Sequence, residues 1–276
     1  PMNYKHMSDT ADYVTTGSWS AKAFDEASKI FNPNEIFRSD ENVYTKAPNI
    51  EELELSKNAT YLHYCPNETI QGVAIHEIPK VDIPLIADMS SVILSQPLDV
   101  NKFSIIYAGA QKNIGPAGLT IVIISKEFMH MGNENLPNIL KYSEHSKSNS
   151  MLNTPPTFSW YLAGKVFKWM IKLGGLDYFE EQNKLKASLL YDFIDNSDFY
   201  SNPIHTSCRS IMNVPFILEN SMLEEKFISE ASDNGFLNLK GHRLVGGMRA
   251  SIYNAMPLEG VKELIKFMDY FKSENG

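Results

Sequence analysis

Strand-like runs of apolar residues recur through the first half of the chain, and they constrain the fold more than any other sequence feature. The runs lie at residues 11–17, 61–65, 83–88, 103–107 and 119–124, and residues 19–30 between the first two have helical spacing without proline. Strands that are apolar on successive residues are typical of a sheet covered on both faces. The pattern predicts an α/β fold with a mostly parallel sheet.

The second half of the chain has a different pattern. A helical stretch at 158–171 is interrupted by Gly174 and Gly175 and resumes through 178–193. The remainder predicts a strand at 208–218, a helix at 224–234, a strand at 246–252 and a helix at 258–272. We therefore predict a large domain at residues 1–178 and a smaller α+β domain at residues 179–276.

Composition excludes several classes of function. The 276 residues include 25 Lys and Arg against 33 Asp and Glu, and a net charge of −8 disfavours nucleic acid as a partner. The longest apolar runs are far shorter than the roughly 18 residues of a membrane span, so no membrane partner is expected. Cys65 and Cys208 cannot form a disulfide framework and lack metal-ligand spacing, which indicates a reducing compartment, the cytoplasm.

Polar residues follow the predicted strands where ligands collect in an open α/β sheet. Asp88 ends the run at 83–88, Lys112 follows the run at 105–111, and Thr69 follows the run at 61–65. An Asp and a Lys at the ends of successive strands are the pair that a pyridoxal phosphate site needs, because the Lys forms the Schiff base and the Asp keeps the pyridine nitrogen protonated. The spacing alone is a weak signal and favours the simpler interpretation, a surface Lys and a strand-capping Asp.

Longer sequence segments distinguish between these two interpretations. Residues 108–118 (AGAQKNIGPAG) and 63–70 (HYCPNETI) resemble the cofactor-binding segments of phosphoserine aminotransferases. Residues 153–158 (NTPPTF), 241–243 (GHR) and 245–254 (VGGMRASIYN) resemble that family in the same order and spacing. The resemblance implies aminotransferase fold type I, with a large domain that binds pyridoxal 5'-phosphate and a smaller C-terminal domain.

The resemblance also implies a role for each matching residue around the cofactor. Lys112 would be the Schiff-base lysine and proton shuttle, and Asp88 would contact the pyridine nitrogen. Trp19 would stack on the ring, Thr69 would bond near the ring hydroxyl, and Gln111 would bind the cofactor phosphate. Without the resemblance, Trp19 would be interpreted as an ordinary core aromatic.

Further implied residues bind substrate or reach across a homodimer with shared active sites. Arg249 would bind the substrate α-carboxylate, a task suited to a planar guanidinium. Asn153 and Thr154 would reach the phosphate of the neighbouring subunit's cofactor. His242 and Arg243, from the partner subunit, would bind the substrate phosphate or the γ-carboxylate of glutamate, although alone they would be interpreted as a solvated loop.

The implied reaction transfers an amino group between the small molecules L-glutamate and 3-phosphohydroxypyruvate, giving O-phospho-L-serine in serine biosynthesis. A related step of vitamin B6 biosynthesis is a further candidate. Family members carry an N-terminal segment before the point where this sequence begins, with an Arg that holds the cofactor phosphate. We therefore expect weak or absent activity from the 276-residue polypeptide alone, with apolar surface exposed where that segment docks.

Two alternatives stay open at the level of sequence. The chain could be an inactive truncated fragment that folds or dimerises without cofactor. It could also be another fold type I enzyme, such as a sulfur-handling relative, although it lacks a mobile catalytic cysteine motif.

Overall fold

The computed structural model describes residues 10–39, 43–133 and 135–276, in which two sheets are found. The first sheet has the strand order β2-β1-β3-β4-β5-β6, with all neighbours parallel except β5 and β6. Its strands are β1 (Thr10–Thr15), β2 (Asn34–Arg38), β3 (Ala59–Tyr64), β4 (Leu85–Asp88), β5 (Ile105–Gly109) and β6 (Thr120–Ile124). Helix α1 (Ser18–Ser28) connects β1 to β2. The predicted α/β fold with a mostly parallel sheet is confirmed.

The central strands of this sheet bury side chains on both faces. Leu62 of β3 lies opposite Leu85 of β4, and both belong to the larger hydrophobic cluster on one face. Successive residues point to opposite faces of a strand, and Tyr13 and Tyr61 belong to a second cluster on the other face. In the central strands, the apolar sequence pattern therefore correctly indicates that both faces of the sheet are covered.

Strand β6 departs from that expectation. It pairs antiparallel with β5 at the edge of the sheet, and the side chains of Val122 and Ile123 are exposed. Apolar runs identify strands but do not show which strand lies at an edge, because edge position depends on pairing between distant segments.

The predicted helical stretch after the first sheet forms two long helices. These are α4 (Thr157–Leu173) and α5 (Gly175–Asp195), preceded by the short helices α2 (Lys126–Met129) and α3 (Tyr142–Lys147). Gly174 ends α4 with φ of 118°, a left-handed conformation that favours glycine. The predicted boundary between residues 178 and 179 lies inside α5, and the division into two domains stays a prediction.

The second sheet and two helices form the C-terminal α+β part. Its strands are β7 (Tyr200–Ser201), β8 (Asn213–Leu218) and β9 (Met248–Ser251), all antiparallel, with helices α6 (Glu224–Asp233) and α7 (Leu258–Asn275). The predicted strand at 208–218 is too long, because residues 206–208 form a 3₁₀ turn and β8 begins at Asn213. The rings of Phe216, Phe227 and Phe271 pack edge to face in its core. No helix in the described ranges is long and apolar enough to cross a membrane.

Buried amide side chains join the two sheets. Asn67, after β3, donates to the Asn213 Oδ1 of β8 at 3.0 Å. The backbone N–H of Asn254, after β9, donates to Asn113 Oδ1 at 3.1 Å, and Asn183 of α5 donates to Asn254 Oδ1 at 2.8 Å. Buried polar groups require such partners, so these bonds fix β8 and β9 relative to the carboxyl ends of β3 and β5.

A buried lysine stabilises the chain that follows β9. Lys186 is fully buried, and its Nζ donates to the carbonyl oxygens of Ile252, Tyr253 and Met256.

Lys186→Met keeps most of the stem but leaves these carbonyls without a donor, so we expect the free energy of unfolding to fall by about 2–4 kcal/mol in urea titrations. Lys184→Met, on an exposed face of the same helix, should change it by less than about 0.5 kcal/mol. Equal stability of the two variants would contradict this role.

Candidate active site

Ser90 forms hydrogen bonds with the residues at the carboxyl ends of both β4 and β5. Asp88 is the last residue of β4, and its Oδ1 accepts hydrogen bonds from the Ser90 N–H at 2.9 Å and the Ser90 hydroxyl at 2.6 Å. The same hydroxyl accepts from the N–H of Gly109, the last residue of β5, at 3.1 Å. The carboxylate is therefore oriented at the sheet edge from which the segment bearing Lys112 departs.

Lys112 lies in the turn after β5 and is held by Thr69. Its Nζ donates to Thr69 Oγ1 at 2.6 Å. Burial lowers the pKa of the Lys112 ammonium, the nearby Asp88 carboxylate opposes that shift, and the Arg249 guanidinium adds to it. The amine therefore loses its proton more readily than an exposed lysine does, which a nucleophilic or proton-transferring lysine requires.

Trp19 lies beside Lys112 at the start of α1. The Lys112 Nζ is 6.0 Å from the centre of the Trp19 ring. The Trp19 side chain is 42% exposed, so it is not a core aromatic. Its flat ring instead forms one wall of the space around Lys112.

His63 and Tyr107 form an aromatic layer behind Asp88. The strand register places all three on one face of the sheet. The His63 ring stacks on Tyr13 at 5.0 Å and on Tyr107 at 6.0 Å, and its Nε2 shares a 2.9 Å hydrogen bond with the Tyr107 hydroxyl. Burial lowers the pKa of His63 to about 4 despite the opposing Asp88 carboxylate. The imidazole is therefore neutral at neutral pH.

Arg249 approaches the same space from β9. Its Nε is buried and has no hydrogen-bond partner among the described residues, and its charge acts on Lys112 and on Tyr253. The Tyr253 hydroxyl accepts from Asn213 Nδ2 at 3.0 Å and interacts with Thr69. An unpaired buried guanidinium nitrogen is costly, and a carboxylate is the ligand that its geometry fits.

Gln111 is exposed and folds back over Gly109. A Cβ placed on Gly109 would lie 2.5 Å from Gln111 Oε1, so the amide would have to move if residue 109 carried a side chain. The structure therefore places Gln111 next to Lys112 with its amide turned toward the backbone at the end of β5.

The other predicted site residues lie on exposed segments. Asn153 and Thr154 are exposed before α4, and Arg243 is exposed in the loop before β9. His242 is half-buried, and its hydrogen bonds to the N–H groups of residues 244–246 stay within that loop. In the described parts of the chain no contact joins these residues to Lys112.

Several residues of the site were not predicted. A Ser two residues after an Asp is a signal for a side-chain turn, and Ser90 could have been identified from it. His63 and Glu68 give no such signal, because their partners lie 44 to 49 residues away in sequence.

Comparison with known sequences identifies the family. The profile of the class-V aminotransferases matches residues 5–264. The phosphoserine aminotransferase of Acinetobacter baylyi is 52% identical over 278 residues, covering 100% of this chain and 77% of that protein. The one from Hahella chejuensis is also 52% identical, covering 100% of this chain and 76% of that protein. The chain belongs to the phosphoserine aminotransferase family.

Solved structures of phosphoserine aminotransferases agree with this family. The enzyme from Bacillus circulans subsp. alkalophilus superposes with a TM-score of 0.97 at 45% identity, covering 100% of this chain and 77% of that one. The Trichomonas vaginalis enzyme, solved with pyridoxal phosphate bound, gives 0.91 at 38% identity, covering 98% and 77%. An aspartate aminotransferase from Thermus thermophilus, at 15% identity, covering 99% and 80%, and with a TM-score of 0.83, shares the fold. Aminotransferase fold type I is confirmed.

The charge of Asp88 should set the reactivity of Lys112. Asp88→Asn removes the carboxylate that favours the ammonium, so the pKa of Lys112 should fall further and its amine should be acylated faster at a fixed pH near neutrality. Peptide mass analysis across a pH series gives the midpoint of Lys112 acylation, which should move to lower pH. Asp99→Asn, in the turn before β5, should leave that midpoint unchanged. A midpoint that stayed or rose in Asp88→Asn would refute the assignment.

Proposed function

We propose that this chain transfers an amino group between L-glutamate and 3-phosphohydroxypyruvate, giving O-phospho-L-serine, with pyridoxal 5'-phosphate bound at Lys112. Membership of the phosphoserine aminotransferase family supports the reaction. The observation that best supports the site is the position of the Lys112 amine. It donates to Thr69 at the sheet edge where Asp88 ends β4, and the Trp19 ring lies beside it.

The residues around Lys112 fit this cofactor. The exposed Trp19 ring offers a flat surface beside the amine, and Asp88, the last residue of β4, offers a carboxylate whose charge acts on the amine. The bare Gly109 leaves room for the Gln111 amide, which we assign to the cofactor phosphate. When bound, pyridoxal phosphate supplies an electron-accepting ring that stabilises the charge left when a substrate loses its Cα proton.

The chain's own groups have distinct tasks in this reaction. Lys112 Nζ holds the cofactor and then carries the substrate proton, and Thr69 Oγ1 orients that nitrogen. Asp88 would supply a negative charge to the ring nitrogen, and Ser90 fixes that carboxylate by donating to Oδ1. Trp19 would cover one face of the cofactor ring and exclude water from that face. These tasks agree with the lowered pKa of the Lys112 ammonium, whose first cause is burial.

Substrate binding is assigned to the cationic groups on the C-terminal part. Arg249 binds the α-carboxylate, which would satisfy its buried Nε. His242 and Arg243 of the neighbouring subunit bind the distal phosphate of one substrate or the γ-carboxylate of glutamate. Asn153 and Thr154 reach the phosphate of the neighbouring cofactor. The exposure of these loops supports an assignment across a subunit boundary.

The proposal includes a homodimer. Helix α4 begins three residues after Thr154 and leaves large apolar side chains exposed, including Phe158 at 70%, Tyr161 and Ile171. Large exposed apolar side chains on one element are a feature of protein–protein interfaces. A second copy of the chain would cover this face.

The wider setting is also a proposal. Cys65 and Cys208 are both buried and free, which supports a reducing compartment, the cytoplasm. A phosphorylated 2-oxo acid of vitamin B6 biosynthesis would offer the same carboxylate and phosphate groups to Arg249, His242 and Arg243. We keep it as a second substrate of the same site.

Loss of the Lys112 amine should abolish both cofactor attachment and turnover. Pyridoxal phosphate is titrated into the purified chain, the sample is reduced with borohydride, and the modified peptide is mapped. The parent should carry the adduct on Lys112, and Lys112→Ala should lose it together with at least about 1,000-fold of transamination. Lys102→Ala, on an exposed turn, is the control and should match the parent. A folded parent without adduct would favour the fragment that binds no cofactor.

Mixing inactive variants tests whether active sites are shared. Lys112→Ala damages the cofactor side of a site, and Arg243→Ala damages the side assigned to the partner subunit. In a random mixture about half of the dimers are hybrids, and each hybrid has one intact site out of its two. Activity should therefore recover to about one quarter of the parent value. Unmixed variants, and a mixture of Lys112→Ala with Asp88→Asn, should stay inactive. Absence of recovery despite proven subunit exchange would exclude the shared site.

A further inference from the structure

Glu68 is a buried acid whose carboxylate bonds to the first turn of α1. It follows β3 and is 0% exposed. Oε2 accepts from the N–H of Trp19 at 3.0 Å, and Oε1 accepts from the N–H of Ser20 at 2.8 Å and from the Ser20 hydroxyl. These bonds fix the backbone of the residue whose ring forms the wall beside Lys112.

The start of α1 is built around this carboxylate. The remaining N–H groups of its first turn are also bonded, that of Ser18 to Gln71 Oε1 at 3.1 Å and that of Ala21 to the Gly17 carbonyl at 3.0 Å. The positive end of the helix dipole favours a negative charge here. A Cβ on Gly17 would overlap the Glu68 side chain, so Glu68 has room at this turn because residue 17 is glycine.

Glu68 is adjacent in sequence to Thr69, whose hydroxyl binds Lys112 Nζ. One short loop thus contacts Lys112 through Thr69 and orients Trp19 through Glu68. We propose that Glu68 is a positioning residue that sets the Trp19 ring against the cofactor bound at Lys112. The inference rests on the proposed function for the identity of the bound cofactor, and on the contacts above for the placement of Trp19.

This position requires a carboxylate because Glu68 acts only as an acceptor in its hydrogen bonds to Trp19 and Ser20. Glutamine has one acceptor oxygen, and its amide nitrogen would face either the Trp19 or the Ser20 N–H, which are donors themselves. Glu68→Gln therefore preserves shape and removes one acceptor. The variant should therefore weaken the hydrogen bonding at the start of α1 without creating a cavity.

The test follows Trp19 directly in a Trp160→Phe, Trp169→Phe background, since the chain has three tryptophans. Acrylamide quenching reports exposure of Trp19 without cofactor, and loss of its fluorescence on adding pyridoxal phosphate reports stacking. In Glu68→Gln we expect acrylamide quenching to rise about twofold and the cofactor concentration for half-maximal quenching to rise about tenfold. Unchanged values for both in a folded variant would overturn the proposal.

Asp12→Asn is the matched control. Asp12 is also 0% exposed and accepts from the Ser56 N–H at 2.7 Å and from Asn34 at 3.1 Å, away from α1. It should lower thermal stability while leaving both Trp19 signals unchanged. Equal changes in Asp12→Asn and Glu68→Gln would show a general loss of stability and overturn the specific role.

Two further results separate this proposal from the proposed function. If pyridoxal phosphate fails to quench Trp19 in the parent background, the proposed function fails, and the acrylamide measurement alone decides the placement of Trp19. If Glu68→Gln does not fold, Ser20→Ala removes the hydroxyl bond to Glu68 and the bonds that this hydroxyl accepts from the Thr16 and Gly17 N–H groups, while both backbone N–H bonds to the carboxylate stay. It should give a smaller change in the same direction, and no change would overturn the proposal.

Discussion

The loop at residues 66–75 connects the parts of this structure on which the site depends. Three consecutive side chains of this loop form hydrogen bonds with different elements. Asn67 bonds to Asn213 of the second sheet, Glu68 to the start of α1, and Thr69 to Lys112. The backbone is closed by a 2.8 Å bond from the Gly72 N–H to the Glu68 carbonyl, with Gly72 at φ of 76°. A Cβ there would collide with β8, so this turn can approach the second sheet only as glycine.

This arrangement explains how the acidic side chains of Glu68 and Asp88 lie near Lys112 without close ion pairs to other side chains in the described ranges. Glu68 is stabilised by backbone N–H groups at a helix start, and Asp88 by the N–H and hydroxyl of Ser90. Burial raises the pKa of Glu68, an effect opposed by its bonds to Ser20 and Trp19. Because these N–H and hydroxyl groups stabilise the acids, Lys112 has no direct carboxylate partner among the described residues. Its amine can then lose a proton more readily than a paired lysine.

The sequence predicted those features that depend on local pattern. Apolar runs located the central strands, and the position of Asp88 and Lys112 after two of them predicted the sheet edge at which the candidate site lies. Strand β2 was missed, because Asn34–Arg38 has polar ends and no apolar run. Glu68 was missed for a different reason, since its role exists only when the start of α1, 48 residues earlier, is folded against it. Long-range polar contacts of this kind leave no periodic trace in a sequence.

The site is closed on one side and open on the other. His63 and Tyr107 cover the sheet side, whereas Trp19 and Lys112 keep exposed surface on the opposite side. Under the proposed function, contact with water would weaken the attraction between Arg249 and an anionic substrate, because water has a high dielectric constant. A second copy docked on α4 would then exclude that water and add Arg243 to the same site. Assembly and substrate recognition would then share one surface, so each subunit can be fully folded while its active site is incomplete.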